Sequence, residues 1–182
     1  MPRIKMIGDK ADIAADQHAE FDTIVNVLHG VRGPFSILMH SPGLAQKVME
    51  AGAHVRLKST LTMVERELAV LAVAREKDAA YEWAAHVKVG REHGMREEAI
   101  EAMRNSGDVS ALEPDERDII TYVRQLLQKN RVEQDVFDAL LGRHGERWLV
   151  ELTATIGQYQ YISAINNAFD LQPAEGADKL PV

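Results

Sequence analysis

The chain contains no cysteine, which excludes disulfides, thiolate metal sites and any thiol nucleophile. A cysteine-free chain also fits a reducing compartment. Concentrated positive charge is missing as well. Against 21 lysines and arginines stand 28 acidic residues, a formal net charge of −7, so phosphate backbones find no basic surface and nucleic acid is excluded as a partner. No stretch approaches the roughly 20 apolar residues of a membrane span, and no membrane partner is expected. The opening residues Met1, Pro2, Arg3, Ile4, Lys5 and Met6 lack the apolar centre of a signal peptide. A cytoplasmic location is therefore expected. Strict apolar–polar alternation between turn residues is also absent, so the sequence offers no half-buried strand.

What remains is helical. The 182 residues, 46% of them hydrophobic, suit one all-α domain with a core large enough to need no covalent staples. Its boundaries are read as 1–182, with 1–16 and 172–182 expected to be loosely ordered. Phe21, Ile24, Val25 and Leu28 mark a helix stopping at Gly30, and Gly33-Pro34 breaks the chain again. Ser41-Pro42 starts a helix through Val55. Thr62 with Glu65 forms a capping box for the next, which runs to Ala74. Lys77-Asp78 turns the chain into a helix from Tyr81 to His93, ended by Gly94. Glu97 to Arg104 forms a short helix before the loop at Asn105. Glu113-Pro114 opens a helix through Leu127, Val136 to Leu141 a shorter one closed by Gly142, and Arg147 to Phe169 the last. A faint echo links Val64-Glu65-Arg66-Glu67 to Asp115-Glu116-Arg117-Asp118, each opening an apolar helix.

The most informative stretch is Ala79-Ala-Tyr-Glu-Trp-Ala-Ala-His-Val87. Glu82 and His86 lie four residues apart, so both occupy one helix face, about a turn apart. Upstream, Glu67 opens the apolar run Leu68 to Ala74. The short Lys77-Asp78 turn forces these two helices to lie antiparallel as neighbours. Counting outward at about 1.5 Å per residue sets Glu67 level with His86 and Glu82 about one turn nearer the turn. Alanines at 79, 80, 84 and 85 allow close approach. A Glu67–His86–Glu82 cluster follows, and a carboxylate beside His86 would raise its pKa and fix its tautomer. The same spacing also serves a plain surface ion pair, with Glu67 favoured in a first turn by the helix dipole. A polar residue buried without a partner is costly, however, and the apolar setting weighs toward the cluster. The all-round apolar character of Leu68 to Ala74 exceeds what a small bundle needs, which suggests burial between subunits as well.

Glu67, the apolar helix, Tyr81-Glu-Trp-Ala-Ala-His86 and Gly94 together resemble the carboxymuconolactone decarboxylase family, which includes the alkyl hydroperoxidase D-like (AhpD-like) proteins. The likeness is good from about Phe35 to Met103 and continues loosely through Leu149 to Phe169. The resemblance implies an all-α fold on a helical hairpin and self-association into trimers or hexamers. In the peroxidase branch a glutamate and a histidine relay protons to a Cys-x-x-Cys pair. Glu67 and His86 fall at the positions of that glutamate and that histidine, while Ala79 and Glu82 occupy the cysteine positions and Tyr81 that of a second histidine. Thiol peroxidase chemistry is thereby excluded, and the proton relay remains.

Two functional classes follow. As an enzyme, the chain would carry out acid/base chemistry on a small organic acid or lactone, with decarboxylation implied by the resemblance. His86 would be the general acid/base, Glu82 its proton partner or a second acid, and Glu67 the residue orienting the imidazole. Tyr81 would donate to a developing oxyanion. Arg56 or Arg75 would fork onto the substrate carboxylate, and Tyr159 and Asn166 on the last helix would line the same pocket. No cofactor is expected. A divalent metal held by His86, Glu82 and Glu67, with His54 as an outside candidate, is an open variant, although the paired-histidine spacing of common sites is missing. As a non-enzyme, the chain would be an oligomeric scaffold or small-ligand binder whose polar cluster fixes helix register. Trp83 and Trp148 read as core or interface anchors, and Lys88 and Arg91 as solvated charge.

Overall fold

The structure is a computed structural model and describes residues 2–181. Among these it is all helical: α1 His18–Leu28, α2 Pro34–Leu38, α3 Pro42–Leu57, α4 Met63–Glu76, α5 Ala80–Glu92, α6 Glu97–Arg104, α7 Pro114–Lys129 and α8 Gln134–Ala168. The local signals act where the sequence places them. Thr62 Oγ1 accepts from the Glu65 amide at 3.3 Å while Glu65 Oε2 accepts from the Thr62 amide at 2.6 Å, a closed capping box that satisfies amides the first turn leaves free. Pro34, Pro42 and Pro114 each sit in a first helical turn, where a missing amide hydrogen costs nothing. Ser41, by contrast, makes no capping bond with its side chain.

Helix α4 is the central rod, surrounded by α5, α6, α7 and α8. Every residue from Arg66 to Ala74 is buried, so a single copy of the chain covers the all-round apolar helix. The sequence argument that assigned this apolar excess to a subunit interface therefore falls: neighbouring helices of the same chain supply the cover. A second cluster joins α1, α3 and the far part of α8 through Phe21, Ile24, Met49 and Ile162. The cavity described below lies between the two clusters.

The α4–α5 turn is tight. Asp78 takes a left-handed conformation (φ 48°), which aspartate tolerates better than most residues, and the Ala79 amide reaches back to the Ala74 carbonyl at 2.8 Å. The echoed segments behave alike as well. Glu65 and Glu116 each close a capping box, while Arg66 and Arg117 each pair with the acid that follows.

Three expectations are corrected. The break in the C-terminal helical region falls at Gly145 (φ 83°, ψ 172°), and the helix carries on through Gly142. The chain ends, expected to be loose, are docked. The Ile7 amide bonds the Ser36 carbonyl at 2.9 Å and the Arg3 amide the Phe169 carbonyl at 3.0 Å. Leu180 is buried against the main core, and Asp178 accepts from Trp83 Nε1 at 3.1 Å, Arg104 Nη1 at 2.6 Å and Arg91 Nη1 at 2.7 Å. These long-range anchors outweigh the polar composition of the tail. They also make Arg91 a tether between α5 and the tail, not the solvated charge expected of it. Met1 and Val182 lie outside the described residues.

Candidate functional site

The hairpin delivers the cluster that the spacing predicts. Glu67, fully buried on α4, accepts from His86 Nδ1 on α5 at 2.6 Å. Glu82 Oε2, one turn away on α5, lies 3.3 Å from His86 Nε2. The imidazole is thus bracketed by carboxylates on both ring nitrogens. Each carboxylate is held from behind. Arg66 donates to Glu67 Oε1 through Nε at 3.0 Å and Nη2 at 2.8 Å, a two-pronged contact that fixes the carboxylate plane. Its Nη1 donates to the Arg56 carbonyl at 2.7 Å. Asn166 Nδ2 on α8 donates to Glu82 Oε1 at 2.7 Å. Tyr159, also on α8, stands edge-on to the imidazole with ring centres 5.0 Å apart.

This arrangement sets the charges. Burial works against an imidazolium, but hydrogen bonds and attraction from Glu67 and Glu82 outweigh it and raise the His86 pKa to about 9. Burial pushes the Glu67 carboxyl up, yet His86 and Arg66 together hold it below its ordinary value. Burial and the Glu82 charge raise the Tyr81 hydroxyl, and burial with the Glu67 and Glu82 charges raises that of Tyr159. Both tyrosines are neutral donors at neutral pH. So His86 is a charged acid, ready to give a proton, flanked by neutral tyrosine donors and paired acids.

Beside the cluster lies a cavity of about 200 Å³. His86, Glu82, Tyr81 and Tyr159 give it a polar wall, and Leu28, Phe35, Met49 and Ile162 are among its apolar lining. Arg56 also lines it, in agreement with the sequence reading. Glu67 does not reach the cavity; it stands behind His86. Asn166, expected to line the pocket, is likewise one layer back, as the partner of Glu82. Arg75 is misplaced by the sequence reading. It lies at the hairpin end of α4, paired with Asp78 and donating to the carbonyls of Pro181 at 2.6 Å and Arg104 at 3.3 Å. Local acceptors and the docked tail use it up.

The three-residue metal variant fits poorly. Glu67 and Glu82 face opposite nitrogens of one ring, so their oxygens do not converge with an imidazole nitrogen on one point, and a protonated His86 has no lone pair to give. His54 lies elsewhere, 4.0 Å from Glu151. Among the described residues, Glu65, Asp115 and His144 do bring donor atoms within 4.8 Å of one another. There, however, Arg143 already pairs with Asp115 at 2.8 Å and the His144 ring stacks on Trp148.

Sequence reasoning missed Arg66, Arg32 and Gln158. Arg66 is hidden because neighbouring residues on a helix ordinarily face apart; the Glu65-Arg66-Glu67 triplet was its only signal. Arg32 and Gln158 line the cavity from a loop and from α8, and no local pattern marks them.

A sequence profile of the carboxymuconolactone decarboxylase family matches residues 42–125, a span that holds α3 to α6, the hairpin and most of α7. Among curated proteins, none matches the sequence. Solved structures share the fold at low identity. The alkylhydroperoxidase AhpD core of an uncharacterised peroxidase-related protein from Ralstonia eutropha superposes with a TM-score of 0.76 at 17% identity, covering 96% of this chain and 93% of that one. The debrominase Bmp8, solved with 2,3,4-tribromopyrrole, gives 0.71 at 13% identity, over 96% of this chain and 95% of its own. A putative antioxidant defence protein AhpD from Agrobacterium tumefaciens gives 0.66 at 21% identity, over 79% and 99%. With the hairpin cluster in place and cysteine absent, the chain has the AhpD-like all-α fold and carries, over residues 42–125, a segment similar to the carboxymuconolactone decarboxylase family.

Proposed function

We propose that this protein is an acid/base enzyme, decarboxylase-like, acting on a small organic acid or lactone without thiol chemistry. The observation that carries the reading is the bracketed imidazole. His86 is held as an acid by two carboxylates and presented, with Glu82, on the wall of a cavity of about 200 Å³. A purely structural ion pair has no need of a cavity on its open side.

In this mechanism Arg56 holds the substrate carboxylate. As carbon dioxide leaves, the electron pair of the breaking carbon–carbon bond enters the substrate's own conjugated carbonyl system. Tyr81 donates a hydrogen bond to the oxygen where that charge gathers. His86 Nε2 then delivers its proton to carbon, and Glu82 carries a proton from solvent to restore the imidazolium. Glu67, anchored by Arg66, is a positioning residue that keeps Nδ1 protonated and the ring in plane. The setting proposed is cytoplasmic, and among the described residues no helix is long and apolar enough to cross a membrane. Self-association, as a trimer or hexamer, is proposed from the exposed apolar side chains Leu57, Phe137 and Val150.

The test is carbon dioxide release from a panel of small keto acids and carboxylated butenolides, with wild type and His86→Gln compared. Glutamine still donates to Glu67, and Arg66 still neutralises it, so folding should survive. Loss of turnover by at least about a hundredfold, as general acid catalysis implies, in a variant that still folds to the wild-type helical content, supports the enzyme. If no panel member turns over and the substitution only lowers stability, the cluster is a register-fixing network in a scaffold or ligand-binding protein.

A further inference from the structure

The arginines of this chain are mostly spoken for. Arg66, Arg91, Arg104 and Arg143, among others, each lie within ion-pair distance of a carboxylate. In an acidic chain this is expected, since guanidinium groups find partners readily. Two arginines at the cavity break the pattern. Arg32 donates only to the His29 carbonyl, at 3.2 Å, and among the described residues the Arg56 side chain has no hydrogen bond or ion pair. Both line the cavity beside His86, and both line an adjoining surface groove with His29 and Gly30. They therefore stand at the junction where the cavity opens to solvent. Each guanidinium also sits near enough to a cavity tyrosine, Arg32 to Tyr81 and Arg56 to Tyr159, to oppose the upward shift of its hydroxyl.

The remaining wall holds no further free cation. Arg66 is committed to Glu67 behind the imidazole, and His86 is bracketed by two acids. Glu82 is itself a cavity-wall carboxylate, and the rest of the lining is largely apolar: Leu28, Pro34, Phe35, Met49, Ile162. An anionic group at the mouth meets two unpaired guanidinium groups. A second one placed deeper meets Glu82 and hydrocarbon, with its desolvation uncompensated.

We propose that Arg32 and Arg56 together form a carboxylate clamp at the cavity mouth and that the site selects a monocarboxylate with a compact apolar body over a dicarboxylate. This inference rests on the acid/base reading of the same cavity and adds Arg32 and the exclusion of a second charge to it. The loop that carries Arg32 is built to hold it there. His29, Gly30 and Gly33 all have positive φ, and Gly33 lies so close under the Tyr81 hydroxyl that a Cβ would overlap its oxygen. The arginine, the loop and the site tyrosine are thus packed as one wall.

Calorimetric binding to the full chain, with benzoate, benzamide and terephthalate as probes, tests the clamp. Benzoate is expected to bind. Benzamide, which lacks the charge, and terephthalate, which carries a second one opposite, should each bind at least about tenfold more weakly, a difference of about 1.4 kcal/mol. Arg32→Gln and Arg56→Gln should each weaken benzoate about tenfold and leave benzamide unchanged. Neither should move the melting temperature, since neither side chain pairs with a carboxylate in the fold. Equal binding of benzamide or terephthalate, no benzoate binding at millimolar concentration, or benzoate affinity indifferent to both substitutions would each overturn the proposal. Binding is read without turnover, so the two readings fail separately. Arginine-dependent benzoate binding in a protein with no lyase activity sinks the enzyme and keeps the clamp. Turnover with KM unchanged in both arginine variants does the reverse.

Discussion

Replacing Glu67 by glutamine removes one of the two charges that keep His86 protonated, and its consequences can be worked from the structure. The His86 pKa stands at about 9 against an ordinary 6.5, a rise of about 2.5 units, or about 3 kcal/mol of preference for the imidazolium at 1.36 kcal/mol per unit. The folded-state pKa is raised, so this stabilisation is fully present below pH 6.5 and is lost as pH climbs through about 9. In Glu67→Gln only Glu82 still favours the charge, while burial still opposes it. The His86 pKa should fall by well over one unit, and the stability lost between pH 6.5 and 9 should shrink with it. Nitrogen-detected NMR titration of the imidazole reads the first quantity, and urea unfolding at a series of pH values reads the second. Arg66 keeps an acceptor in the glutamine carbonyl, so the fold should hold, and Glu82→Gln provides an independent variant of the same sign. A wild-type His86 titrating near 6.5, or a glutamine variant still titrating near 9, would refute the electrostatic account of the site.

Asn166→Ala removes, from a buried position, the amide that donates to Glu82 Oε1, and the unpaired carboxylate oxygen should cost roughly 1–3 kcal/mol in urea unfolding; a loss of less than a few tenths would mean water replaces the amide freely. Gly33→Ala should destabilise the fold and weaken ligand binding, because it adds strain at φ 56° and a clash with Tyr81. Gly94→Ala, at φ 87° with nothing within 4 Å of the added carbon, should show only the conformational cost of about 1 kcal/mol. Equal losses in the two would remove the Gly33–Tyr81 contact as an explanation. Deleting residues 173–182 removes buried Leu180 and the Asp178 acceptor of Trp83. It should lower stability by at least about 2 kcal/mol and shift the tryptophan emission; an unchanged unfolding midpoint would show that the tail is not an anchor.

What the sequence made legible was what depends on neighbours along the chain. The capping box at Thr62, the short turn at Asp78 and the four-residue step from Glu82 to His86 are local patterns. Together they place three titratable groups through helix geometry alone. The Glu67 contact needed one further step, the antiparallel hairpin, and that step was forced by turn length. Illegible were the contacts made across the fold. Asn166 reaches Glu82 from α8, and Gln158 and Arg32 enter the cavity from elements whose approach no local rule fixes. Arg75 shows the converse failure. It is eight residues past Glu67 on the same helix, so roughly 12 Å further along the axis, and the docked tail that consumes it was invisible in a polar, proline-bearing segment. Gly145, and not Gly142, breaks the last helical region because positive φ is a property of the bend, and two glycines three residues apart look alike until the bend is seen.

On the proposed acid/base reading, the charge inventory of the cluster favours loss of carbon dioxide over hydrolysis. Arg66, Glu67, protonated His86 and Glu82 form a set that is neutral as a whole, beside a substrate carrying one negative charge at the mouth. In decarboxylation the substrate carboxylate leaves as neutral carbon dioxide and the remaining carbon takes a proton from His86. The product is neutral and the cluster bears the negative charge. The total in the cavity region is therefore constant through the step, so no uncompensated charge has to be created where water is scarce. Solvent then restores the proton through Glu82. Hydrolysis of a lactone would instead leave two carboxylates beside Glu82, against the charge pattern of the wall. Under this scheme, turnover in D2O should place one deuterium on the carbon that lost carbon dioxide. The rate should fall as pH rises through about 9, where the imidazolium is lost. A rate that instead rose through that range would mean that neutral His86 acts as a base, and the order of proton transfer argued here would be wrong.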